Sequence, residues 1–138
     1  MTTTAQTTLD EAAVSQLQAG FRGQLVQPHD PTYDEARQLY NGMIDKRPLL
    51  IAQCRDVADV ISAVNFAREQ KLAVAIRSGG HNGAGLGSVD GGLVIDLSPM
   101  KGIRVDLQAG TVRVEGGCTW GEVDHATHVF GLATPSGI

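Results

Sequence analysis

Apolar positions along this chain recur at two periods, and the alternation between them lays out the elements. Val57, Val60, Ile61, Val64 and Ala67 fall at i, i+3, i+4, i+7 and onward, the spacing that lines one side of a helix. Asp56 stands before them as a candidate N-cap, so the spacing predicts a helix from there to about Gln70 with that face inward. Thr8-Leu9-Asp10-Glu11 and Thr32-Tyr33-Asp34-Glu35 are both capping-box patterns. They predict helices over Leu9 to Ala19, stopped by Gly20, and over a short stretch reaching about Asn41. Phe21 to Val26 reads as irregular and Gln27 to Pro31 as a loop.

Short apolar runs at Leu49–Ala52, Leu72–Ile76 and Leu93–Leu97 predict strands. The first two flank the Asp56–Gln70 helix, a βαβ unit that predicts a parallel pair. Ile103–Asp106 and Thr111–Glu115 alternate apolar and polar residues around a turn at Asp106–Gly110, which predicts a hairpin. Thr119 caps a last helix, Trp120 to Val129, ended by Gly131. Strands and helices alternate in an α+β chain, with no internal repeat.

Composition narrows the function classes. A chain of 138 residues suits one modest core. The net charge of −4, with no basic stripe carrying interleaved aromatics, argues against nucleic acid and against an anionic membrane surface. No apolar run approaches the ~20 residues that span a bilayer. Residues 1–8 are polar and threonine-rich without the profile of a secretory signal, so a cytoplasmic location is expected. Cys54 and Cys118 have no metal-ligand spacing and read as small buried or half-buried thiols. His125 and His128 share a helix face but lack a third ligand, so no metal site is expected and both read as helix-surface residues. Trp120 is expected in the core. The chain closes on the turn-rich run Gly131 to Ile138, which suggests a piece of a longer protein.

The chemistry concentrates at the end of the Leu72–Ile76 strand. There the chain enters Arg77-Ser78-Gly79-Gly80-His81-Asn82-Gly83-Ala84-Gly85-Leu86-Gly87. Five glycines let a backbone approach a ligand closely and adopt positive φ. Successive N–H groups in such a turn converge on an anion such as a diphosphate. A histidine in that cradle sets a nucleophilic nitrogen beside the ligand. The spacing fits neither the Rossmann fingerprint nor a P-loop. A flexible surface loop, or a non-catalytic module that binds a nucleotide or a partner protein, is the alternative.

Four segments in order resemble the FAD-binding domain of the vanillyl-alcohol oxidase/p-cresol methylhydroxylase (PCMH-type) superfamily, most nearly its berberine-bridge-enzyme-like oxidases. They are Arg77–Asn82, Gly91–Ser98, Val114–Val123 and Gly131–Gly137. Upstream, Arg47–Ala52 and the Asp56–Gln70 helix resemble the start of that domain. The resemblance covers about 32–138 and implies the first half of the domain: a short parallel or mixed sheet with flanking helices, residues 1–31 being an N-terminal helix and linker. It implies FAD as cofactor, its diphosphate wrapped by Arg77, Ser78, Gly79, Gly80, His81 and Asn82, with Leu86 and Gly87 closing the loop. His81 matches the histidine that such enzymes bond to the flavin 8α carbon, and Pro135 and Gly137 match a turn near the flavin.

The implied activity is oxidation of a small-molecule substrate, a hydride passing from a C–H or alcohol carbon to flavin N5 and on to dioxygen. A dehydrogenase or reductase of the same superfamily is the alternative. A second lobe and a substrate domain would follow, so apolar surface awaiting them is expected here, and no catalytic acid or base is assigned. Asp96 is read as a structural hydrogen-bonding residue. Neither cysteine matches the position of a second flavin link.

Overall fold

Two apolar runs, Leu49–Ala52 and Leu93–Ile95, set the centre of the sheet. The computed structural model describes residues 8–137, and within it β2 (Leu50–Gln53) and β4 (Leu93–Asp96) lie side by side and parallel. Strands buried on both faces read as continuous apolar runs, which is why neither alternates. Around them, β1 (Gln24–Val26) pairs antiparallel with β2, and β3 (Val74–Arg77) pairs parallel with β4. The sheet order is β1-β2-β4-β3. The βαβ unit is therefore real, but β4 is inserted between its two strands, so β2 and β3 do not pair directly. Sequence order could not show this, because β4 arrives later and its apolar run fits the doubly buried slot.

Helix α1 (Glu11–Gly20) and α3 (Val57–Glu69) cover one face of the sheet. Leu50, Ala52, Leu93 and Ile95 meet Val14, Ala63, Phe66 and Ala67 there, with Phe21 and Leu25 in the same cluster. The chain from Leu9 to Leu25 thus belongs to the main core. The other face buries Val26, Ile51, Ala75 and Val94 against Tyr33, whose hydroxyl donates to the Pro48 carbonyl at 2.7 Å. Each fully buried Leu, Ile or Val contributes ~1.5–3 kcal/mol. A two-stranded sheet of β5 (Ile103–Asp106) and β6 (Thr111–Val114), with α4 (Trp120–His128), completes the described fold. This is the expected α+β chain with a small mixed sheet.

Several expectations change. Helix α1 is capped by Asp10, whose carboxylate accepts from Ala12 N at 3.0 Å, and not by Thr8. Phe21–Val26 is not irregular throughout, since its second half is β1. Helix α2 spans only Tyr33–Ala36 and Thr32 makes no capping bond, so the second capping box does not form.

Helix α3 starts at Asp56, which accepts from Asp59 N as expected, but it is rotated. Val57, Ile61 and Val64 face solvent, while Asp59, Ala63, Phe66 and Ala67 are buried. Asp59 turns it: its carboxylate accepts backbone N–H groups of Arg22, Gly23 and Arg55 at 2.8–2.9 Å. A buried carboxylate with three donors outweighs the apolar periodicity. Residues 1–7, part of the threonine-rich start, lie outside the described residues.

Candidate functional site

Strands β3 and β4 end at the same level, with Arg77 paired to Asp96 in the register. The guanidinium and carboxylate meet at 2.8 Å with only 8% and 3% of the side chains exposed. Asp96 also accepts from Ser98 N at 3.0 Å, and Arg77 donates to the Gln38 carbonyl at 3.3 Å. Asp96 is thus the structural partner expected of it. The pair locks the carboxyl end of the sheet, where parallel α/β sheets place ligands, and the glycine loop starts from it.

That loop is held by its carbonyls. Tyr40 N donates to Gly80 O at 3.3 Å. The Asn41 amide donates to Gly83 O at 2.9 Å, and the Lys46 ammonium to Gly85 O and Ser88 O at 2.8 and 3.0 Å. These bonds account for the shortened α2, because residues 38–46 leave the helical path to brace the loop. Gly85 has φ +75°, and a Cβ there would approach Ile44 to 2.8 Å. Among the described residues, no partner within the chain takes a backbone N–H from Ser78, Gly79, Gly80, His81 or Asn82. With carbonyls occupied and amides free, the loop is polarised toward an anionic ligand.

Across from the loop stands a second wall. The Ser78 hydroxyl donates to the Gly116 carbonyl and ties the two together. Ser98, Lys101, Glu115, Gly117, Cys118, Thr119 and Trp120 face Arg77–Asn82, Leu86 and Gly87 around a cavity of about 930 Å³. That volume is at the upper end for small-molecule and cofactor sites, ~300–1,000 Å³. Thr119 and Glu122 form the capping box of α4, and Glu122 also meets the Lys101 ammonium at 3.0 Å. The Thr119 N–H, and after it Lys101, hold the Glu122 carboxyl below its ordinary range.

His81 is exposed within the loop. Its imidazole lies over Gly79, where an added Cβ would sit 3.2 Å from Nε2. The Tyr40 ring stands 5.3 Å from it, tilted by 55°.

The structure brings together eight of the ten residues expected at the cofactor: Arg77, Ser78, Gly79, Gly80, His81, Asn82, Leu86 and Gly87. Pro135 and Gly137 are not brought to this cavity and lie exposed in the irregular segment beyond α4. Trp120 is a correction. It is 40% exposed and lines the cavity, because Val123 and Thr127 take the buried face of α4. Cys54 is buried and Cys118 half-buried, as expected, but Cys118 also reaches the cavity. Burial pushes the Cys54 thiol up to about 12. His125 and His128 sit exposed on α4. Lys101 carried no signal in the sequence, being a lone polar residue after an apolar strand, and Ser98 entered only as the last residue of the Gly91–Ser98 segment, with no site role. No helix among the described residues is long and apolar enough to cross a membrane.

Comparison with known proteins accords with this geometry. Residues 48–137 match the family described as FAD binding domain. The chain is 35% identical over 118 residues to (R)-6-hydroxynicotine oxidase of Paenarthrobacter nicotinovorans, covering 86% of this chain and 26% of that protein. It is 46% identical over 90 residues to an FAD-linked oxidoreductase of Dictyostelium discoideum, covering 65% and 20%. Among solved structures, the carbohydrate oxidase from Microdochium nivale superposes with a TM-score of 0.79 at 27% identity, over 91% of this chain and 27% of the other. The chain spans about a quarter of the length of these relatives. With the braced glycine loop, the cavity beside it and a match across residues 48–137, the chain belongs to the FAD-binding-domain family of the PCMH and berberine-bridge-enzyme-like type, of which it carries the N-terminal portion.

Proposed function

We propose that this chain holds the FAD of an FAD-dependent oxidoreductase acting on a small-molecule substrate, and that His81 tethers the cofactor covalently. The observation carrying the proposal is the row of free amides from Ser78 to Asn82 with an imidazole among them. Those amides bind the diphosphate, and Arg77, held by Asp96, fixes where the row begins. The opposite wall, from Ser98 to Trp120, presents apolar and polar groups to the remainder of the cofactor and keeps water from it. Leu86 and Gly87 close the loop, and Pro135 and Gly137 approach the flavin when the rest of the polypeptide is in place.

The remaining polypeptide contributes the substrate pocket and also covers Val57, Ile61 and Val64 of α3 and Val74 and Ile76 of β3, which stand exposed. Bound FAD supplies hydride acceptance at N5, with dioxygen as final acceptor. His81 contributes a ring nitrogen that bonds to the 8α carbon. An electron-withdrawing imidazole substituent there raises the reduction potential and favours hydride acceptance. No membrane or nucleic acid enters this reading, and its setting is cytoplasmic.

The test is acid precipitation of the natural polypeptide. The pellet should be yellow, and the tryptic peptide Ser78–Lys101 should carry the mass of FAD. His81→Ala should release FAD to the supernatant. A His81→Ala pellet as yellow as wild type would remove His81 from the role, and protein that takes up no FAD would overturn the whole reading.

A further inference from the structure

Tyr40 has no place in the reading so far, although its ring is the nearest aromatic to the tethering histidine. It is 76% exposed, an unusual position for a large aromatic side chain with no packing role. Its backbone is nonetheless fixed, since Tyr40 N donates to the Gly80 carbonyl at 3.3 Å inside the glycine loop. Asn41, the next residue, holds Gly83 at 2.9 Å and caps its own turn by accepting from Met43 N at 3.0 Å. The ring is thus carried on a segment bonded to the loop on both sides of His81.

We propose that Tyr40 and Gly79 form a clamp that positions the His81 imidazole for attachment to the flavin. This rests on the reading of His81 as the tether. Among the described residues, no hydrogen bond holds the His81 side chain, so packing alone restricts it. On one side the imidazole lies against Gly79, where even a methyl group would sit 3.2–3.5 Å from three of its ring atoms. The Tyr40 ring also stands against it, at a distance and tilt typical of interacting aromatic pairs. Loss of the Tyr40 ring, or a methyl group intruding at Gly79, lets the imidazole leave this position.

In the attachment, a C–H bond of the 8α methyl and the imidazole N–H break and the N–C8α bond forms. Two electrons and two protons leave with dioxygen as hydrogen peroxide. As the bond forms, the imidazole is held beside the Tyr40 ring, 5.3 Å between centroids. Tyr40 is therefore a positioning residue: it touches the nucleophile and acts through it.

The experiment follows acid-stable incorporation of FAD into the natural polypeptide produced under flavin limitation and then supplied with FAD in air. Tyr40→Leu keeps apolar bulk without the ring. It should slow incorporation about tenfold, because small misplacements of a reacting group cost one to two orders of magnitude. Its Kd for FAD before attachment, read by flavin fluorescence quenching, should stay within about twofold of wild type. Tyr40→Phe should restore the rate, since the ring and not the hydroxyl is the clamp. Gly79→Ala, in a backbone conformation open to alanine, should slow incorporation as well by displacing the imidazole.

Incorporation at the wild-type rate in either Tyr40→Leu or Gly79→Ala would overturn the clamp. So would failure of Tyr40→Phe to rescue, or a loss of FAD affinity in Tyr40→Leu large enough to account for the whole slowing. Acid-stable flavin in His81→Ala would instead defeat the tether itself, so the two failures are distinguishable.

Discussion

Asp96→Asn is the sharpest probe of the architecture beneath the site. Asparagine keeps a carbonyl oxygen for Ser98 N but turns an amide toward the Arg77 guanidinium, 2.8 Å away in the wild type. Both side chains are under 10% exposed, so the cation left behind cannot be rehydrated without moving the end of β3. Removing one partner of a buried ion pair costs ~3–5 kcal/mol. With a urea m-value of ~1.5 kcal/mol per molar for a chain of this size, the unfolding midpoint should fall by ~2–3 M.

The double variant Arg77→Met/Asp96→Leu removes both charges and keeps apolar volume. It should recover most of that loss, because desolvating the ions offsets much of their attraction. Urea unfolding followed by circular dichroism measures all three proteins. A midpoint shift below ~0.5 M for Asp96→Asn, or a double variant as unstable as the sum of its parts, would refute the claim that this pair is a dry, mutually dependent lock.

Other outcomes follow from the same geometry. A Cβ on Gly117 would fall among the carbonyl oxygens of Leu97, Ser98 and Met100, so Gly117→Ala should cost about 3 kcal/mol and weaken FAD retention in a fluorescence titration. Glu122 titrates below its ordinary value of 4.5 in the folded chain. Its contribution is therefore present above that value and lost as pH falls through the depressed one. Acid should loosen the first turn of α4, seen in the emission of Trp120, the sole tryptophan, and Glu122→Gln should abolish that part of the change. Buried Cys54, with its thiol pushed up to about 12, should resist alkylation at pH 8 while half-exposed Cys118 reacts. Labelling of Cys54 at the rate of Cys118 would show that the sheet face opens.

Most elements, and the glycine loop itself, were legible in the sequence, because they depend on local order. Leu93–Ile95 is an apolar run whose composition suits a buried strand wherever it lands. The glycines from Gly79 to Gly87 signal a backbone made to approach something, and His81 among them signals chemistry. Asp56 and Thr119 cap their helices through bonds that span three residues.

What tertiary structure alone decided is everything that depends on distant partners. Helix α3 turned Val57, Ile61 and Val64 outward because Asp59 is claimed by Arg22, Gly23 and Arg55, two of them more than thirty residues away. The predicted helix beyond Ala36 gave way because residues 40–46 bond to the glycine loop about forty residues on. The place of β4 between β2 and β3, the Arg77–Asp96 lock, and the arrival of Lys101 and Trp120 at the cavity share one cause. A hydrogen bond or ion pair across the fold outweighs a local preference of a few tenths of a kcal/mol per residue, and no window of sequence contains both of its ends.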